Sequence, residues 1–278
     1  MTPEDDAAAE LRRLADQRTN MLAMLVEGGS DKSGLTAELG VSRSTVDRAV
    51  RRLEGAGLVR RDRGGVTATR AGRLAHESYR RYCERTADVA RFGDLLRELP
   101  ATADVGPELL DGATAHRSEP PAMGRPANEV IERFERATKM WICASAINDA
   151  EASARLHEMV TERGGYADVV YTSNLASHLR EWYLDKRHEM AVTGRYRAYE
   201  IDDLSYDLFV IESLDGTGVA VVVYGDGGRL DGVIVNDTDA AVAWGKEAFE
   251  RRRSAATEFT DDFLAGGSDA GADGDRGG

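Results

Sequence analysis

Between Val41 and Ala75 the chain places nine arginines, at 43, 48, 51, 52, 60, 61, 63, 70 and 73, against three acids, Asp47, Glu54 and Asp62. That is a local charge of +6 in a chain whose formal net charge is -13. A guanidinium fork matches guanine O6 and N7 in the major groove and also pairs with phosphate oxygens, so the chemistry of this cluster is recognition of double-stranded DNA. Arg43, Ser44, Thr45 and Arg48 are candidates for base readout, with Ser42 beside them in the DNA-binding set. Arg51 and Arg52 lie a turn further on, towards the backbone, and Arg60, Arg61 and Arg63 suit phosphate or minor-groove contact.

Positioning such a set requires a helix and a wing. Ser42 can cap a helix in which Val46, Ala49, Val50 and Leu53 form one apolar stripe, leaving Ser44, Thr45, Arg48, Arg51 and Arg52 off it. A helix over 33–39 stopped by Gly40 precedes it, and before that a helix spans 9–26 and ends at Gly28-Gly29. Leu58–Asp62 and Val66–Thr69 read as two short strands turned by the Gly64-Gly65 pair, forming the wing. Helix, turn, helix and wing in this order predict a winged helix-turn-helix over 1–75.

Thr69 is placed to cap a long helix, 70–99, carrying Ala75, Tyr79, Tyr82, Thr86, Val89, Gly93 and Leu96 at alternating steps of four and three. This is expected to link the domains and to dimerise the chain. Five of the six prolines fall from 100 to 126, where the domain boundary and a connector are expected. From 127 to 264 helices alternate with strands and then give way to successive strands, predicting an α/β domain with a mixed sheet, so the whole chain is α+β. The tail, 265–278, is Gly-, Ala- and Asp-rich and expected to be disordered.

A second group of residues lies in that C-terminal half. Trp141, Tyr171, Asn174 and Trp182 are candidates to line a small-molecule pocket. His178, Glu181, Asp185 and His188 fall on one face of a helix expected over 175–190, but so charged a chain produces such faces by chance, and no metal site is assigned. Gly225–Gly228 reads as a hairpin turn rather than a phosphate loop, no Ser-His-Asp arrangement can be argued from spacing, and no cofactor is expected.

Composition narrows the setting. Cys83 and Cys143 are far apart and outside any CxxC motif, which argues against a disulfide framework or zinc site and for a reducing cytoplasm. The N-terminus lacks the features of a signal sequence and the longest apolar run is Val219–Tyr224, so neither export nor a membrane partner is expected. Only four of the 36 basic residues are lysines. With the excess of acids, this resembles proteins of salt-accumulating archaea and reads the global acidity as adaptation to solvent.

The segment Leu35–Leu53 followed by Gly57-Leu58-Val59 resembles archaeal winged-helix transcriptional regulators. Leu208–Glu212, Gly218–Tyr224 and Gly232–Trp244 resemble the effector domain named after a methanogenesis regulatory protein. That resemblance implies a fold similar to half of a phospholipase D, whose catalytic motif is His-x-Lys-x4-Asp. His178–Asp185 has the spacing with Arg180 in place of the lysine, which leaves a winged-helix-targeted phosphodiesterase or nuclease, carried by the C-terminal domain, as the alternative to the expected function. The expectation is a non-enzymatic, homodimeric regulator whose C-terminal domain senses a small-molecule effector or assembles the protein.

Overall fold

The computed structural model describes residues 2–62, 65–147 and 150–266. The chain divides into two compact units between Ala87 and Asp88.

The first unit begins with α1 (Pro3–Gln17) and α2 (Thr19–Glu27). Thr2 and Asp5 close a capping box at the start of α1, each backbone N–H donating to the other's side chain. The single helix expected over 9–26 is therefore two. It starts earlier, where Pro3 and three acids favour a helix N-terminus. It breaks at Arg18, which leaves helical geometry at φ -128° beside Thr19 and Asn20, both weak helix formers.

α3 (Lys32–Leu39) follows, capped by Asp31, whose carboxylate accepts from Gly34 N–H at 2.7 Å. Gly40 ends it at φ +63°, a left-handed position that glycine adopts without penalty. α4 (Arg43–Gly55) then runs to the wing, β1 (Val59–Asp62) and β2 (Gly65–Ala68), which pair antiparallel. A third backbone partner reaches the wing from before α3: Ser30 and Val66 exchange N–H···O bonds of 3.1 and 3.0 Å. Leu22, Leu25, Leu35, Val46, Val50, Leu53, Leu58 and Val66 are buried together, the stripe of α4 at the centre. Burying each such side chain contributes roughly 1.5–3 kcal/mol.

α5 (Arg70–Glu98) leaves the wing. Its first turn lies against β1 so closely that a Cβ on Gly72 would sit 2.0 Å from the Leu58 carbonyl oxygen. Arg73 donates to Val26 O and Tyr79 to Asp16. In the second unit, Phe92 and Leu95 at its far end are buried on the sheet.

The second unit is built on one eight-stranded mixed sheet. Its strands are β3 (Thr114–Arg117), β4 (Ala137–Ala144), β5 (Tyr166–Thr172), β6 (Tyr196–Ile201), β7 (Asp207–Ser213), β8 (Gly216–Tyr224), β9 (Leu230–Asn236) and β10 (Thr257–Glu258). In space they run β10-β6-β5-β4-β7-β8-β9-β3. β4, β5 and β6 are parallel, joined by helical crossovers, whereas β7, β8 and β9 form an antiparallel meander that β3 extends.

Strand alternation divides the core between the two faces. Met140, Ile142 and Ala144 of β4 point to one side, under α7 (Arg125–Glu135), α8 (Ala150–Thr161), α9 (Ser173–Trp182), α10 (Leu184–Ala191) and α12 (Thr260–Gly266). Cys143 points to the other, under α6 (Pro107–Leu110) and α11 (Asp239–Ala255).

The stretch expected as a connector thus contributes α6 and the edge strand β3 to this unit. The prolines mislead because Pro107 occupies the first turn of a helix, where its missing N–H is no loss. Buried Asn236 holds the segment, donating from Nδ2 to Leu109 O at 2.9 Å and Asp111 O at 2.8 Å. The tail from 267 onward lies outside the described residues.

Candidate DNA interface and ligand cavity

α4 presents its polar face to solvent because its apolar stripe is consumed by the core: Val46, Ala49, Val50 and Leu53 are each 0% exposed. Ser42 caps the helix, accepting from Thr45 N–H at 3.3 Å, and its Oγ lies 2.9 Å from both Ser44 Oγ and Thr45 Oγ1. The hydroxyl of Ser42 is thus committed to the helix start, and Ser44 and Thr45 are held around it. Arg43 and Arg48 are exposed on this end, and neither makes an ion pair among the described residues.

The other arginines differ in their freedom. Arg51 folds back, its Nε donating to Asp47 O at 3.2 Å, and Arg61 pairs through Nε with Glu54 Oε2 at 3.1 Å. Arg52 and Arg60 are exposed, and Arg63 lies outside the described residues. Asp47 is occupied by Lys32 at 2.5 Å, which ties α3 to α4 and holds the carboxyl below the usual carboxylate range. One of the cluster's three acids is thereby neutralised beside the reading face.

In the second unit, a cavity of about 180 Å³ opens over the carboxyl end of β4, where the sheet changes from parallel to antiparallel. Crevices at the carboxyl ends of strands where the sheet order switches are the usual place for ligands in α/β sheets. Its walls are largely apolar, from Val130 and Phe134 of α7, Leu156 of α8, Ile142 of β4 and Phe209 of β7. Two ionisable groups interrupt them, Arg187 of α10 and Asp207 at the start of β7.

Arg187 is 3% exposed, its Nε has no hydrogen-bond partner, and it pairs with no carboxylate among the described residues. Its guanidinium carbon stands 5.7 Å from the Tyr171 ring centroid and 6.0 Å from that of Tyr196. The two tyrosine hydroxyls are 2.9 Å apart. Asp207 is the opposite case, with its oxygens occupied: Oδ1 accepts from Ser145 N–H and Oγ–H, both at 2.7 Å, and Oδ2 accepts from Tyr224 Oη–H at 2.7 Å. Burial pushes its carboxyl up to about 6, against those three donors.

Of the four residues expected to line a pocket, only Tyr171 reaches this one. Trp141 is one step out of phase with Ile142 on β4 and so faces the other side of the sheet, between Lys139 Nζ at 4.5 Å and Lys246 Nζ at 4.8 Å from its ring. Asn174 and Trp182 lie on the outward side of α9, Trp182 being 68% exposed. Arg187 and Asp207, missed from sequence, carry no local motif. Asp207 offered one signal, a charge leading the apolar run Leu208–Ile211, whereas Arg187 lies in the charged run Asp185–Glu189 and offered none.

The helix expected over 175–190 breaks at Tyr183, φ -129°. His178 and Glu181 are therefore on α9, Asp185 and His188 on α10. His178 is exposed, its ring tilted against that of Tyr183 with centroids 5.7 Å apart, while His188 Nδ1 meets Phe263 O at 2.8 Å. No three His, Cys, Asp or Glu side chains among the described residues are grouped to hold a metal ion. No helix of the described residues is long and apolar enough to cross a membrane.

Two families match. Residues 123–255 match the methanogenesis regulatory protein FilR1, middle domain, and residues 6–91 match the HVO_A0261 N-terminal domain. No curated protein matches the chain. Among solved structures, TrmBL2, an archaeal chromatin protein described as showing a novel mode of DNA binding, is 13% identical with a TM-score of 0.42, covering 90% of this chain and 98% of its own. Nuc from Salmonella typhimurium, a phospholipase D family member, is 11% identical with a TM-score of 0.41, covering 53% of this chain and 98% of its own. NucT from Helicobacter pylori is 13% identical with a TM-score of 0.39 over the same shares.

Proposed function

We propose that this chain, which carries a FilR1 middle domain behind an HVO_A0261 N-terminal domain, is a DNA-binding transcriptional regulator. The observation that carries the reading is the N-terminal end of α4, where Arg43 and Arg48 project without ion-pair partners among the described residues, beside the Ser42–Ser44–Thr45 hydroxyls. A helix presented this way enters the major groove with its first turns at the base edges. Arg51 and Arg52 then approach the backbone, and the wing, with Arg60, Arg61 and Arg63, holds the flanking phosphates.

The protein acts as a homodimer through α5, where Tyr82 and Val89 of the four-three repeat are 59% and 54% exposed. Two-fold symmetry sets two α4 helices on half-sites about 10 bp apart or a multiple of it. The C-terminal unit senses a small molecule and needs no chemistry of its own. The chain's acidity outside the +6 segment is an adaptation to a salt-rich cytoplasm, so affinity rests more on groove fit than on counterion release.

Footprinting on genomic fragments, selected by immunoprecipitation of the tagged protein, tests this. A protected, roughly palindromic site supports it, and the absence of any protected fragment at the salt concentration of the cell refutes it.

A further inference from the structure

The cavity over the carboxyl end of β4 holds a buried cation, Arg187, that has no carboxylate partner among the described residues. We infer that it is a binding site for a small organic acid, with an apolar body against Val130, Phe134, Leu156 and Phe209 and a single carboxylate on the Arg187 guanidinium. The inference rests on reading the C-terminal unit as a sensing domain and supplies the class of molecule it senses.

A guanidinium keeps its proton in proteins, and withdrawing it from water is costly unless a counter-charge or hydrogen-bond acceptors meet its donors. Arg187 is 3% exposed, and what meets it in the structure is two tyrosine ring faces and a hydrogen-bonding interaction with the Tyr196 hydroxyl, a neutral acceptor, with Nε unbonded. Cation–π contact at 5.7 and 6.0 Å recovers only part of that cost. An oxyanion accepting two of the five donors would complete the site, and the fork geometry suits a carboxylate.

The rest of the cavity limits the guest. Asp207 cannot be the missing partner, because its oxygens accept from Ser145 and Tyr224 and it forms no ion pair with Arg187. Its charge keeps a second oxyanion away from that end, so the guest carries one anionic group and places it at Arg187. The walls between are Ile142, Ala144, Val169 and Val222 on the sheet side, with the α7 and α8 side chains above, which bind hydrocarbon and not a sugar or nucleotide. A cavity of about 180 Å³ has room for a compact molecule.

Isothermal titration of the full chain with benzoate and octanoate, against benzamide and octanamide, tests the inference, with inorganic phosphate as the control for a bare anion site. The expected result is binding of at least one acid, about tenfold or more tighter than its amide, and no displacement by phosphate. Arg187→Gln should abolish the acid-over-amide preference. Should that variant fail to fold by circular dichroism, Ala127→Leu decides, since it fills the cavity from α7 and leaves Arg187 in place. Its expected effect is at least a tenfold loss of acid affinity. Acids and amides binding alike, no binding of either acid at millimolar concentration, displacement by phosphate, or acid binding indifferent to Ala127→Leu would each overturn it.

A gel shift on promoter DNA with the same preparation separates the two readings. DNA binding without acid binding removes only this inference, and acid binding without DNA binding removes only the regulator.

Discussion

Tyr224 donates its hydroxyl proton to Asp207 Oδ2 at 2.7 Å, so both oxygens of the buried carboxylate accept from the cavity wall, while Arg187 in the same cavity pairs with no acid among the described residues. Burial nevertheless outweighs the donors and lifts the carboxyl from 3.8 to about 6.

The sign of the consequence follows from which state holds the proton. Between pH 3.8 and about 6 the folded chain retains on Asp207 a proton that the unfolded chain releases. Stability therefore falls as pH rises through that window, by up to about 3 kcal/mol from this residue. Asp207→Asn keeps an acceptor for Ser145 and turns its amide towards the Tyr224 hydroxyl, which can accept. Denaturant unfolding from pH 4 to 7 should show a shallower decline for the variant than for the parent.

Arg48 and Arg60 should separate by kind of loss. Arg48→Ala, on the first turns of α4, is expected to relax discrimination at one base position by about 1–3 kcal/mol. Arg60→Ala, on β1, should weaken all sequences alike and reduce the slope of affinity against salt by about one ion. Competition gel shifts on matched and scrambled sites, repeated over a salt series, measure both; equal effects on specificity would contradict the assignment.

Gly72 has no room for a side chain: its Cβ would come 2.0 Å from the Leu58 carbonyl oxygen. Because that neighbour is backbone, Gly72→Ala must push the start of α5 off β1. The expected cost is about 1–3 kcal/mol in thermal unfolding, with DNA affinity falling in parallel.

Light scattering in molar salt should give a dimer. Tyr82→Glu, which places a charge at an exposed seam position of α5, should give a monomer with unchanged helix content. A monomeric parent protein would sink the dimer.

The N-terminal unit was legible because its signals are local. The stripe Val46, Ala49, Val50 and Leu53, the cap at Ser42 and the left-handed stop at Gly40 are each set by residues within a few positions. The start of α1 was missed, since alanines and acids carry little periodicity, and so was the break at Arg18, which no glycine or proline marks.

What the sequence by itself determined is therefore which side chains of α4 must be inward and which remain for DNA, because a 3.6-residue period and a cap settle that without reference to the rest of the chain. Only the tertiary structure decided where the cavity lies and what lines it. Arg187 and Asp207 are separated along the chain and belong to different elements, and Trp141 is excluded by a one-residue step in strand phase. The order β5-β4-β7 brings Tyr171 and Asp207 together by backbone pairing across the sheet, α10 packed on the same face adds Arg187, and no local pattern encodes such contacts.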